Sequence, residues 1–108
     1  MPDGPIKPQW FQILLALAQE ELHGYGIQRA VLRQTDDAMT LWPAMLYRSL
    51  SALEESGWIE PIETPEGQPD DERRQYYAIT SAGRSTLREE AERMERWVRV
   101  VRGSDPVR

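Results

Sequence analysis

Along residues 41–56, LWPAMLYRSLSALEES, leucines recur at Leu46, Leu50 and Leu53, the i, i+4, i+7 spacing of one buried helical stripe. Met45, Arg48, Ser49, Ala52 and Glu55 fall elsewhere on the cylinder, so one face belongs to a core and the other stays open. Pro43 suits a first helical turn, where its missing N–H would have no partner anyway, and Ser56-Gly57 supplies the stop. Beyond this helix, Trp58-Ile59 and Tyr76-Tyr77-Ala78-Ile79 are rich in aromatic and β-branched residues. The stretch between them holds Pro61, Pro65, Gly67 and Pro69 among many acids. The pattern predicts two strands flanking an irregular, solvated tip.

Three more helices frame this unit. Pro8 opens the first, in which Trp10, Phe11, Ile13, Leu14, Leu15, Leu17 and Ala18 are apolar on most sides. A helix this apolar needs more than one neighbour, and with one side packed on its own domain, Trp10, Phe11 and Leu14 are left for a partner subunit or a ligand. Residues 19–22 read as a polar link. Gly24-Tyr25-Gly26 begins the second helix, with Ile27, Ala30 and Val31 at core spacing and Arg29 outward. Its two glycines cost helix propensity, which points to close packing against another helix. Thr35-Asp36-Asp37 ends it. The last helix starts near Thr80 or Ser81, a suitable N-cap, and runs to about Arg102. In it Leu87, Ala91, Met94, Val98 and Val101 form an a/d seam over two heptads. Glu89 with Arg93, Glu92 with Arg96 and Glu95 with Arg99 stand at i, i+4 in the favourable order, together adding about 1 kcal/mol at most. The seam asks for a partner, and a symmetric dimer buries it most simply.

The ILLAL opening, the HGYGI run at His23 to Ile27, LWPAMLYRSLSALEESGWI, the RRQYYAIT strand and the following SAGR stand in an order and spacing that resemble the PadR-like winged helix-turn-helix transcriptional regulators. The resemblance spans roughly Ile13 to Arg102. It implies a mainly α fold with a small β-wing: a winged helix-turn-helix domain over residues 7–80 and a C-terminal dimerisation helix over 81–102, with flexible tails at 1–6 and 103–108. It implies dimerisation through the first and last helices, here Trp10, Phe11, Leu14, Leu87, Ala91, Met94, Val98 and Val101. It also implies repression at promoters, and in some short members a place between subunits for flat, apolar effectors. In this chain that place would be lined by Trp97, Trp10, Phe11 and Leu14; Trp97 alternatively only caps the dimer core. Two departures fall on the expected DNA face: Ala44-Met45 stands where the family usually has Gly-Thr, and Arg48 where Pro often follows the tyrosine.

Charge complicates this picture. The 108 residues carry a formal net charge of −5 at pH 7, whereas nucleic-acid binding usually shows a basic footprint. Glu60, Glu63, Glu66, Asp70, Asp71 and Glu72 come without an intervening base, and then Arg73-Arg74 arrive together at the returning wing strand. The acids alone read as a solvated loop. The arginines are placed to reach a phosphate or the minor groove. On the leading reading Pro43, Ala44, Met45, Tyr47 and Arg48 lie near the duplex, with Arg48 bridging guanine O6 and N7 and Tyr47 binding phosphate, the alternative for Tyr47 being a core tyrosine with a wet tip. Arg73 and Arg74 anchor the wing, and Lys7 and Arg29 add phosphate contacts.

Catalytic chemistry finds no footing. The chain has one histidine and no cysteine, so no zinc site or nucleophile pair assembles from the pattern. No cofactor or metal is expected, and the chain is not read as an enzyme. No apolar run approaches the roughly 18 residues of a membrane span, and the start lacks a secretory signal, so a cytoplasmic location is expected. The sequence thus predicts a sequence-specific DNA-binding regulator, a homodimeric repressor released by a small aromatic or apolar effector. The alternative is an acidic winged-helix module that binds another protein and no longer binds DNA. A third reading, a small-molecule sensor acting without DNA, needs the slot and not the arginines.

Overall fold

Prolines at the starts of two helices and a glycine at the end of one set the segmentation that the computed structural model displays. It describes residues 5–69 and 73–104. In order come α1 (Pro8–Gln19), β1 (Leu22–His23), α2 (Gly24–Gln34), α3 (Pro43–Glu55), β2 (Ile59–Ile62), β3 (Tyr76–Ile79) and α4 (Ser81–Gly103). Asp70, Asp71 and Glu72 of the expected acidic run, and residues 1–4 and 105–108 of the expected tails, lie outside the described residues. Within those expected tails Ile6 packs half-buried against the core and Gly103 is the last residue of α4.

The core is one cluster. Ile13, Leu14 and Leu17 of α1, Ile27 and Val31 of α2, and Leu46, Leu50 and Leu53 of α3 meet Leu41, Trp58, Ile59 and Ile79. The expected leucine stripe is therefore the buried face of α3, joined by Ser49, which the pattern had set on the open side. The α2–α3 connection turns at Asp36 and Asp37, both at positive φ (50° and 65°), a conformation that aspartate tolerates better than most residues. The Gln28 side chain donates to the Leu41 carbonyl and fixes the far side of that turn.

The sheet has three strands in the order β1-β3-β2, all antiparallel. Residues 19–22 were expected to be only a link, but Leu22 and His23 pair with Tyr77 and Tyr76 and put β3 in the centre. Two residues are too few for any periodicity to announce a strand. Pro61, expected in the wing tip, lies inside β2 opposite Tyr77, where an edge strand tolerates its missing N–H.

Two backbone devices fix where α4 begins. At the end of α3, Gly57 at φ 78° lets its own N–H reach the Glu54 carbonyl and the Trp58 N–H reach that of Leu53, a Schellman ending that buries Trp58 beside Leu53. The Thr80 hydroxyl then accepts from the Gly83 N–H and donates to the Gly57 carbonyl, while the Thr80 N–H donates to the Trp58 carbonyl. Gly83 is pressed against that same peptide: a Cβ there would lie 2.1 Å from the Trp58 oxygen.

α1 packs along the first half of α4, where Gly83, Thr86 and Glu90 are buried. The Arg93 guanidinium engages Glu90, three residues earlier and only 2% exposed, besides standing at i, i+4 from Glu89. The last turns of α4 are open, with Trp97 48% and Val101 64% exposed.

Gly83→Ala should therefore lower the unfolding free energy by about 3 kcal/mol, at the upper end of overpacking costs, because the obstacle is a peptide carbonyl. Gly103→Ala, which meets nothing within 4 Å, is the control and should be near neutral in the same urea titration. Equal midpoints for the two variants would refute the close approach.

Candidate nucleic-acid interface

The outward face of α3 begins at its N-cap, Trp42, and continues through Pro43, Ala44, Tyr47, Arg48 and Ser51, all exposed. These positions are free because Leu46, Leu50 and Leu53 hold the opposite face in the core. Met45, expected among the outward residues, is half-buried and packs against the core cluster. Its helical angle lies at the edge of the leucine stripe, and a flexible thioether fills such a margin.

Tyr47 is 61% exposed, which excludes a core role, and its hydroxyl lies near the start of α2, 3.8 Å from where a Cβ on Gly24 would be. Between them opens a cleft of about 260 Å³ lined by His23, Gly24, Tyr25, Tyr47, Arg73, Arg74, Gln75 and Tyr77. It joins three elements far apart in sequence: the β1–α2 junction, α3 and the root of the wing. Of the residues expected to meet DNA it gathers Tyr47, Arg73 and Arg74. Arg29 adjoins it, its guanidinium 5.6 Å from the Tyr25 ring centroid and donating to the Tyr25 hydroxyl at 3.2 Å. Arg48 follows Tyr47 on the same helix. Lys7 does not join them: its ammonium sits over Trp10, which packs edge-on against Trp58 beyond the C-terminal end of α3.

The cleft also contains residues that the sequence pattern did not single out. His23 is the N-cap of α2, its Nδ1 accepting from the Gly26 N–H at 3.0 Å. Its ring stacks with Tyr25 and meets Tyr76 edge-on, 5.1 Å between centroids. Burial, and secondarily the nearby Arg74 charge, lower its pKa, opposed by a backbone hydrogen bond. Tyr77 shifts the other way, its phenol pushed up by burial and then by Glu54 and Tyr47. A histidine immediately before a helix was the available signal, and it lay hidden because a lone histidine is first weighed as a ligand or base. The close packing against another helix expected of the two glycines beside it is not what Gly26 makes, since a Cβ there would stand 3.2 Å from Leu22 of β1; Gly24 faces Leu46 and Tyr47 of α3, at ordinary contact distances.

The residues assigned to a partner and an effector are divided. Val98, Val101 and Trp97 are exposed, Ala91, Met94, Leu87, Trp10 and Phe11 are half-buried, and Leu14 is fully buried in its own core. Leu14 therefore faces neither a partner nor a ligand. α1 is apolar nearly all round, and only the three-dimensional packing shows which side its own domain covers. Among the described residues Trp97 makes no ring contact with Trp10 or Phe11. No group of three or more His, Asp or Glu among them is placed to hold a metal ion, and no helix among them is long and apolar enough to cross a membrane.

A model of the transcriptional regulator PadR-like family matches residues 13–89. An uncharacterized 37.1 kDa protein in transposon TN4556 of Streptomyces fradiae is 34% identical over 84 residues, which are 78% of this chain and 22% of that relative, so the chain spans about a fifth of its length. Among solved structures, a transcriptional regulator from Clostridium thermocellum superposes with a TM-score of 0.73 at 24% identity, over 91% of this chain and 90% of the other. Bacillus subtilis PadR in complex with operator DNA superposes with a TM-score of 0.63 at 23% identity, over 77% of this chain and 46% of the other. At these identities the structures speak for the winged-helix fold.

The cap at His23 has a pH signature. Its folded pKa is below the ordinary value of 6.5, so through that window the unfolded chain binds more protons than the folded one. The stabilisation is complete above 6.5 and is lost as pH falls below it. Urea midpoints measured from about pH 8 to about pH 5 should fall on acidification, and His23→Asn, which keeps a capping oxygen, should lose that share of the slope. Identical slopes in the two proteins would exclude His23 as its source.

Proposed function

The chain belongs to the PadR-like family of transcriptional regulators, and from that premise we propose that it is a sequence-specific DNA-binding repressor acting as a homodimer. The observation that carries this reading is the cleft that unites Tyr47, Arg73 and Arg74, with Arg29 and Arg48 beside it. In a chain of net charge −5, the cations adjoin the open face of α3. The operator-bound Bacillus subtilis PadR, similar in fold, supports double-stranded DNA as the partner.

On this reading the N-terminal half of α3 enters the major groove. Pro43 and Ala44 offer apolar contact to thymine methyl groups, Arg48 bridges guanine O6 and N7, and Tyr47 binds phosphate. Met45, half-buried, contributes only its outer edge. Arg73 and Arg74 hold the wing to the backbone, and Arg29 adds a phosphate contact. Few cations per subunit make a half-site weak and the dimer necessary. Its support is the open end of α4, where Trp97, Val98 and Val101 lie exposed beyond Ala91 and Met94, with Trp10 and Phe11 on α1 half-buried. Two copies across a two-fold axis would bury this surface and set two half-sites about one helical turn apart. Trp97 from each subunit, with Trp10 and Phe11, would line the slot for a flat apolar effector, whose binding and that of DNA would be coupled reciprocally. A cytoplasmic location accords with this role.

Binding to promoter fragments, with the upstream region of its own gene included, tests the reading. Selective binding should fall with salt. Arg48→Ala should cost about 1–3 kcal/mol and relax one base position, while Arg73→Ala or Arg74→Ala should weaken all sequences alike and reduce the salt slope by about 1. Val98→Glu with Val101→Glu should yield a folded monomer by sedimentation that binds a full site at least about 10-fold more weakly. A folded dimer with no fragment selectivity at any salt would transfer the acidic face to a protein partner.

A further inference from the structure

The described residues that line the cleft between α2 and the wing root bring several hydrogen-bond donors and, among them, no carboxylate. His23, Tyr25, Tyr47, Arg73, Arg74, Gln75 and Tyr77 line it together with Gly24. Its volume of about 260 Å³ equals roughly nine waters at about 30 Å³ each, room for one phosphate group with its hydration.

We propose that this cleft seats one phosphodiester of the DNA backbone and that the neutral His23 ring, through Nε2–H, is a donor to it. The proposal rests on the DNA-binding reading above and adds to it a ligand group and a residue. His23 cannot act there as an acceptor or a hydroxyl mimic. Its Nδ1 already accepts the Gly26 N–H, which leaves the ring proton on Nε2. Among the described residues Nε2 has no hydrogen-bond partner, and it is not a buried unpaired atom, so it reaches solvent on a ring that lines the cleft. The ring is fixed on several sides: stacked on Tyr25, edge-on to Tyr76, and held in a strand whose register pairs His23 with Tyr76. The donor is therefore preorganised, and orienting it costs little on binding. The helix end itself is not the ligand, because the ring occupies the Gly26 N–H.

A phosphate so held would be gripped on one side by the start of α2 and on the other by the wing root. That double grip fixes the depth and tilt of α3 in the groove. A neutral donor contributes to geometry and leaves the salt slope alone, in contrast to Arg73 and Arg74.

His23→Asn separates the ring's two roles, since asparagine caps helices well and lacks the Nε2 donor; His23→Ser is a second capping variant. Both are compared with the parent for unfolding midpoint at about pH 8, and for binding across a series of salt concentrations to a selected operator carrying single methylphosphonate linkages along each strand. The expected result is an unchanged midpoint, about a 10-fold loss of affinity with an unchanged salt slope, and one linkage whose neutralisation weakens the parent but not the variant. Parental affinity in a folded variant, or losses that add at every linkage, would make His23 a cap only and overturn the seat, while Arg48-dependent binding would leave the DNA reading standing. A flat linkage scan together with protection of the cleft by inorganic phosphate would assign it to a free anion and equally overturn the proposal. No binding to any duplex would remove both readings.

Discussion

The contact on which the rest of the architecture depends is that of Gly83 with the peptide of Trp58. No side chain fits between them, since a Cβ would sit 2.1 Å from the carbonyl oxygen. The same carbonyl accepts the Thr80 N–H, and the Thr80 hydroxyl ties the Gly57 carbonyl to the Gly83 N–H. The end of α3, the end of β3 and the start of α4 thus converge on two consecutive carbonyls, those of Gly57 and Trp58, with Trp58 itself filling the core beneath. A junction this tight has one geometry, because packed interiors resist compression and offer no alternative rotamer when the obstacle is backbone. It decides the direction in which α4 leaves the domain, and so which of its residues meet α1 and which remain uncovered.

The same junction links the wing to α3. β3 pairs with β1 on one edge and β2 on the other, while β2 follows α3 through the Schellman turn at Gly57. The cations at the start of β3 are consequently held opposite the residue that caps α2. Net charge describes the far field, which salt screens within about 10 Å, whereas groups in a shared cleft interact at shorter range. An acidic chain can therefore present a donor-rich cleft whose lining includes two arginines. Glu60, Glu63 and Glu66 are exposed on the wing, outside the residues that line it.

What the sequence made legible follows from range. Both ends of α3 and the end of α2 are marked by residues acting on their own backbone, namely Pro43, Gly57 and Asp36-Asp37, and the leucine stripe carries its own period. The start of α4 was visible at Thr80 for the same reason. β1 was not, since two residues have no period and their strand character exists only through Tyr76 and Tyr77. Leu14 was misplaced because a helix apolar on all sides does not say which neighbour covers which side. Lys7 was grouped with the other cations by charge alone, and only the Trp10–Trp58 contact puts it elsewhere. Of the candidate site, Tyr47, Arg48, Arg73 and Arg74 were legible from family likeness and helical angle; His23, Tyr25 and Tyr77 were not, because the cleft is made by sheet pairing.

The uncovered end of α4 completes the physical argument. Trp97, Val98, Val100 and Val101 are all near half exposed or more, a broader surface than the Val98–Val101 seam alone. Apolar area of this kind stabilises an assembly at about 25 cal/mol per Å² once removed from water, before the entropy of association is subtracted. If α4 pairs across a two-fold axis as proposed, the helix is a rigid arm whose root is Gly83 and whose far end is the subunit contact. A small change in how the two arms cross would be carried undamped to Trp58, and from there to α3 and the wing on either side of the cleft. An effector between the arms would then act on DNA through the junction least able to deform, which is the condition for a local contact to have a distant consequence.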